Sequence, residues 1–122
     1  MPDFAARKLL YVEDDRINII LMEEACRGLP GWVLQVAEDG RQALEQLANS
    51  SLPDAVLIDM NLPDMSGLDL MARIRADKRL DGLRCIAMSA DDQQHVVKAA
   101  LASGFSDFWL KPVNPQRFQT LI

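Results

Sequence analysis

The stretch Ala55–Gly67, AVLIDMNLPDMSG, decides the fold. Its first four residues are continuously apolar, the length and character of a strand covered on both faces of a sheet. Asp59 ends the run, and Leu62-Pro63-Asp64 supplies turn chemistry. From Leu68 the apolar residues Leu68, Met71, Ala72 and Ile74 recur at helical spacing, which predicts a helix over Leu68–Ala76 with Arg73 and Arg75 exposed. Strand, turn and amphipathic helix make one βα unit.

The same unit repeats on both sides of this stretch. Strands are predicted at Lys8–Val12, Val33–Ala37, Ala55–Ile58, Cys85–Met88 and Phe108–Leu110. Between them, Ile17–Arg27 reads as a helix closed by Gly28 in a left-handed cap, and Gly40–Ala48 as a second. Asp91 or Asp92 is placed to cap a fourth helix through Ala102, closed by Gly104, and Asn114 to cap a fifth that starts at Pro115. Five βα repeats imply a parallel sheet with helices on its faces.

A chain of 122 residues suits one domain. Residues 1–122 are therefore read as a single domain, whose last helix, about eight residues long, is short enough to suggest a cut from something longer. The hydrophobic fraction of 49% is ordinary for a globular protein, and no run approaches the roughly 20 apolar residues of a membrane span. Membrane insertion is not expected, and with no secretory signal in MPDFAARK a cytoplasmic location is. A net charge of −5 disfavours direct binding to nucleic acid. Cys26 and Cys85 lie in apolar runs without metal or redox spacing, so both read as core.

Open parallel α/β sheets bind ligands at the carboxyl ends of their strands. Those ends carry Glu13-Asp14-Asp15, Asp59, Ser89 and Lys111-Pro112. Ionised carboxylates at ~4 Å repel by roughly 4 kcal/mol at an effective dielectric near 20, so Glu13, Asp14 and Asp59 need positive charge among them. Hard oxygen donors with an incomplete protein shell suit Mg²⁺, with Mn²⁺ as a substitute, and Lys111 offsets a further charge. Given a metal and an ammonium, a carboxylate is a competent phosphoryl acceptor without a neighbouring base, and Asp59 is the candidate nucleophile. His95 falls in the fourth helix and reads as a surface residue.

Four motifs in order, VEDD at 12–15, LIDMNLPDMSG at 57–67, MSA at 88–90 and KP at 111–112, resemble those of response-regulator receiver domains of two-component signalling, the chemotaxis-regulator type or the receiver of a hybrid sensor kinase. The resemblance implies a flavodoxin-like (βα)5 fold, doubly wound, with strand order 2-1-3-4-5. It implies Asp59 as phosphoacceptor, Asp14 as a direct metal ligand, Glu13 as one acting through water, and Asn61 as donor of a backbone carbonyl to Mg²⁺. Ser89 matches the hydroxyl that meets the phosphoryl group, Lys111 its cationic partner, Lys111–Pro112 a cis peptide, and Phe108 the aromatic switch. The phosphodonor would be a histidine kinase or a histidine phosphotransfer protein. Homodimerisation or an output domain would use the face of the fourth helix, fifth strand and fifth helix.

Taken singly, these residues have plainer readings: Asp14 or Asp15 as helix cap, Asp59 as strand end, Ser89 as turn former. Asp15 is assigned to the cap. Jointly, the plain readings require five polar groups to gather by chance at the ligand-binding edge. Among rival functions, a phosphoaspartate-forming phosphatase of the haloacid-dehalogenase type places an aspartate where Asn61 stands, and a dinucleotide-binding protein needs a glycine-rich loop that the first strand lacks. A pseudo-receiver acting only as an interaction module remains the non-phosphorylated alternative. The methionines Met60, Met65, Met71 and Met88 read as core fillers. For Trp109 packing and projection from the fourth-helix face stay open.

Overall fold

The computed structural model describes residues 7–28, 31–49, 51–114 and 117. Its sheet has five parallel strands in the order β2-β1-β3-β4-β5: β1 Arg7–Val12, β2 Trp32–Ala37, β3 Ala55–Asp59, β4 Cys85–Ser89 and β5 Asp107–Leu110. The helices are α1 Arg16–Arg27, α2 Gly40–Asn49, α3 Gly67–Arg75 and α4 Gln94–Ala102, with a 3-10 turn at Lys78–Leu80 that periodicity did not reveal. The expected fold is the one found. The expected fifth helix lies largely outside the described residues. Among the described residues no helix is long and apolar enough to cross a membrane.

The two-residue period of the strands sorts the core into two layers. Leu10, Val12, Val56, Ile58, Cys85 and Ala87 face α2, α3 and α4, packing on Ala43, Leu47, Leu70, Met71, Ile74 and Ala100. Leu9, Tyr11, Leu57, Ile86, Met88 and Trp109 face the other way, onto Ile19, Met22 and Cys26 of α1. Trp109 is fully buried in the α1 layer, which resolves its position in favour of packing. Cys26 and Cys85 fall in opposite layers, so the sheet separates them, and burial pushes the Cys85 thiol up to about 11. His95 is exposed; Met60, Met71 and Met88 are buried and Met65 half-buried. Only β3 and β4 are covered throughout. The edge strands β2 and β5 are partly open, with Val33 and Leu110 nearly half exposed, because an edge position leaves fewer neighbours to cover them.

Two expected caps differ. Gly28 ends α1 at φ −82°, not in the left-handed region; its N–H still reaches the Ala25 carbonyl, and the positive φ is deferred to Gly31. Neither Asp91 nor Asp92 caps α4, which starts at Gln94 without a side-chain cap. The Asp91 carboxylate instead accepts the Gln93 N–H at 3.0 Å, closing a turn ahead of the helix. Gly104, at φ +111°, does close α4 as expected.

Arg75 is more than a solvated charge. Its guanidinium donates to the carbonyls of Leu80 at 3.0 Å, Asp81 at 3.3 Å, Leu83 at 2.9 Å and Gly104 at 3.2 Å, tying the approaches to β4 and β5 together. Arg75→Met keeps the aliphatic stem but orphans these acceptors. A loss of about 2–3 kcal/mol is expected, read as a lower urea midpoint at unchanged slope.

Candidate functional site

Parallel register brings the strand ends together. Val12 lies beside both Ala37 and Ile58, and Asp59 beside Met88, so Glu13, Asp59 and Ser89 all emerge at one edge. Asp15 then starts α1, its carboxylate accepting the N–H groups of Ile17 at 2.9 Å and Asn18 at 3.3 Å. Asp59 is placed by a close approach: a side chain at Gly67 would bring its Cβ within 2.8 Å of Met60 Cα and 3.0 Å of the Asp59 carbonyl. Glycine there lets α3 begin against the end of β3, with the Gly67 N–H donating to Met60 O at 2.9 Å and Ser66 capping the helix through Asp69 N–H.

Glu13, Asp14 and Asp59 each offer a carboxylate oxygen within 4.8 Å of the others. Glu13 and Asp59 are buried and Asp14 is exposed. The Lys111 ammonium, delivered by the loop after β5, donates to Glu13 Oε1 at 2.7 Å and to Asp59 Oδ2 at 2.9 Å. Asp59 Oδ1 accepts the Asn61 N–H at 3.0 Å, and Asn61 is itself held by a bridge to Ser66. Burial pushes the Glu13 carboxyl above the ordinary range; the Lys111 bond pulls it down and nearby Asp59 pushes it up again. Burial alone would depress the Lys111 ammonium, but its two carboxylate bonds hold it above the ordinary lysine value. Three carboxylates against one ammonium leave two negative charges unmatched, an all-oxygen donor set that fits one hard divalent ion.

The remaining expected residues sit close by. Ser89 is buried, its Oγ accepting the Asp91 N–H at 3.0 Å, and its carbonyl accepts the Lys111 N–H at 2.9 Å. The Lys111–Pro112 peptide is cis. Phe108 is half-buried against the α4-side layer.

Two groups escaped the sequence reading. Tyr11 and Asn18 both donate to Glu13 Oε1, at 3.4 Å and 3.3 Å. Strand period was the available signal for Tyr11, since residues 11 and 13 share a face. Asp64, read as a turn residue, reaches across to α2, where its carboxylate accepts the N–H groups of Gly40 at 2.9 Å and Arg41 at 3.0 Å. With Asp39 accepting Gln42 N–H at 2.7 Å, the first three amides of α2 are capped and the loop bearing Asn61 is pinned to it. The slight desolvation of Asp64 opposes these donors and loses to them, so its carboxyl lies below the ordinary 3.8. A depressed carboxylate stabilises the fold above its unfolded pKa and loses that contribution as pH falls through the folded value. Asp64→Ala is therefore expected to cost about 1 kcal/mol at neutral pH and nothing in strongly acidic buffer, measured by urea unfolding at both.

Comparison with known proteins agrees with this geometry. Residues 9–122 match the family model of the response regulator receiver domain. The chain is 30% identical to the chemotaxis protein CheY1 of Helicobacter pylori, over 89% of this chain and 88% of that one. A putative response regulator from Chloroflexus aurantiacus superposes with a TM-score of 0.85 at 29% identity, covering 94% of this chain and 96% of the other. The receiver domain of the sensor histidine kinase PA1611 from Pseudomonas aeruginosa, with a magnesium ion in its active-site cleft, does so with a TM-score of 0.84 at 29% identity, covering 96% and 94%. The chain belongs to the response regulator receiver family of two-component signalling.

Proposed function

We propose that Asp59 accepts a phosphoryl group from the phosphohistidine of a kinase or phosphotransfer protein, in the presence of Mg²⁺. One observation carries the reading: three carboxylates offer oxygens within 4.8 Å of one another, and the ammonium of Lys111 bridges two of them, Glu13 and Asp59. An anionic Asp59 oxygen forms the new P–O bond as the donor's P–N bond breaks, and the departing imidazole nitrogen keeps the electron pair and takes a proton. Asp14 and Asp59 would hold the metal directly, Glu13 through water, and Asn61 by its carbonyl; Mn²⁺ would serve in its place. When bound, the ion supplies charge neutralisation at the phosphoryl oxygens. Lys111 offers the second cation, freed from Asp59 as the carboxylate becomes an acyl phosphate.

Ser89 would turn from the Asp91 amide toward the phosphoryl group, and Phe108, already half inside, would follow into the space. Phenylalanine brings no hydroxyl to that movement, so the inward state forgoes a hydrogen bond worth about 1 kcal/mol. The readout surface would be the α4–β5 face, where Leu101 and Leu110 are exposed, serving a second copy or an output domain. Residues 1–122 are read as one receiver domain working in the cytoplasm as a signalling switch that assists its own phosphorylation, without direct contact to nucleic acid.

The test is incubation with acetyl phosphate and Mg²⁺ followed by intact-mass spectrometry. One added phosphoryl group, absent when EDTA replaces Mg²⁺, is expected. An unmodified chain under conditions where it binds Mg²⁺ would leave the pseudo-receiver as the better reading.

A further inference from the structure

The two oxygens of Glu13 are unequally engaged. Oε1 takes three donors: Lys111 Nζ at 2.7 Å, Asn18 Nδ2 at 3.3 Å and Tyr11 OH at 3.4 Å. Oε2 takes one, the Asp15 N–H at 3.2 Å. A carboxylate oxygen directs two lone pairs in its plane, so Oε1 is saturated and Oε2 retains capacity. Glutamate is also one methylene longer than aspartate, and its extra torsion must be fixed if the head is to keep one orientation. Packing alone does not fix its neighbour Lys111, which lines a cavity of about 240 Å³ between α1 and the segment after β5, together with Tyr11, Asn18 and Leu21. Polar contacts are what hold this corner.

We propose that Tyr11 and Asn18 are positioning residues that clamp Glu13, reserving Oε1 for Lys111 and turning Oε2 toward the divalent ion. The proposal rests on the phosphoacceptor reading above and adds to it a division of labour within one carboxylate. Tyr11 supplies its donor from β1, one pleat before Glu13, and Asn18 from the first turn of α1, so the clamp joins strand and helix across the turn that carries Asp14. Without it Glu13 keeps only the Lys111 bond to Oε1 and the Asp15 N–H bond to Oε2, and Oε2 is held less firmly relative to Asp14 and Asp59.

Both donors can be removed with little threat to folding. Tyr11→Phe keeps the buried ring, and Asn18→Ala places a strong helix former on α1. In the double variant, calorimetric titration with MgCl₂ is expected to show Mg²⁺ affinity reduced three- to tenfold. With acetyl phosphate, the Mg²⁺ concentration for half-maximal labelling should rise more than the maximal rate falls. Each single variant should give part of the shift, and Asn18→Gln, which restores an amide donor, should recover some of it. Circular dichroism melting checks that the variants are folded; should the double variant not fold, Tyr11→Phe alone decides by the same titration. Mg²⁺ affinity within twofold of the parent in folded variants overturns the clamp while leaving Asp59 as acceptor. A parent chain that binds no Mg²⁺ removes the clamp together with the reading beneath it, so the two failures are told apart by the parent's own titration.

Discussion

Asp59→Asn is expected to take up no phosphoryl group from acetyl phosphate and, in metal-free buffer, to unfold at a higher urea concentration than the parent chain. The first outcome follows from chemistry: an amide has no anionic oxygen with which to attack phosphorus, whereas a carboxylate needs no base to do so. The second follows from the crowding of charge. Carboxylate oxygens of Glu13, Asp14 and Asp59 lie within 4.8 Å of one another, and at an effective dielectric near 20 each pair at that distance repels by about 3.5 kcal/mol. Neutralising Asp59 removes two such repulsions and one attraction to Lys111, and it relieves the desolvation of a buried charge. A net gain of about 1–2 kcal/mol remains once mutual screening is allowed for. Saturating Mg²⁺ should narrow or reverse the difference, because the ion stabilises the parent by mass action, about 2.7 kcal/mol at a hundred times its dissociation constant. A labelled Asp59→Asn would point to another acceptor. Lower stability in EDTA would mean that the carboxylates are not in conflict.

This tension between function and stability explains which parts of the molecule were legible in sequence. The strands were visible because burial on two faces demands uninterrupted apolar runs, and Ala55–Ile58 and Cys85–Met88 have them; each of the five strands extends only one residue beyond its reading. The acidic residues stood out because carboxylates at the ends of apolar strands are costly without a counter-ion. What stayed hidden depends on contacts between distant segments. Arg75 looks like any exposed cation of an amphipathic helix until Leu83 and Gly104 fold over it. Asp64 looks like a turn residue until α2 presents its amides, 24 positions away. Tyr11 and Asn18 lay unremarked inside the predicted first strand and first helix, and their bonds to Glu13 exist only once the turn between those elements has folded. Cap positions failed for a related reason: Asp91 had a nearer amide, that of Gln93, to satisfy.

Replacing Lys111 by methionine should act in the opposite sense to Asp59→Asn, and more strongly. Lys111 touches both buried carboxylates, Glu13 and Asp59, whose side chains are 1% and 8% exposed. Removing one partner of a buried ion pair while leaving the other costs about 3–5 kcal/mol, and methionine fills the stem's space without supplying charge. The loss should be read in EDTA at neutral pH. It should shrink toward both ends of the pH scale. At the acid end, Glu13 has a folded pKa raised above its ordinary 4.5, so it binds a proton more readily folded than unfolded; its contribution is favourable below that value and is lost as pH rises through the folded pKa. Without the lysine bond to pull that pKa down, the variant should lose stability over a wider window as pH rises. At the alkaline end, Lys111 stabilises the parent fully below its ordinary 10.5 and ceases to do so as pH climbs through its raised folded value, so parent and variant converge. Mg²⁺ provides the discriminating measurement. With the ammonium gone, three carboxylates face the ion unopposed, and calorimetry should find it bound at least as tightly as by the parent. Any loss of phosphorylation-dependent switching in Lys111→Met would then lie in sensing the phosphoryl group and not in holding the metal. Weaker Mg²⁺ binding by a folded Lys111→Met would show instead that the lysine builds the metal site, and the balance of charges drawn here would have to be abandoned.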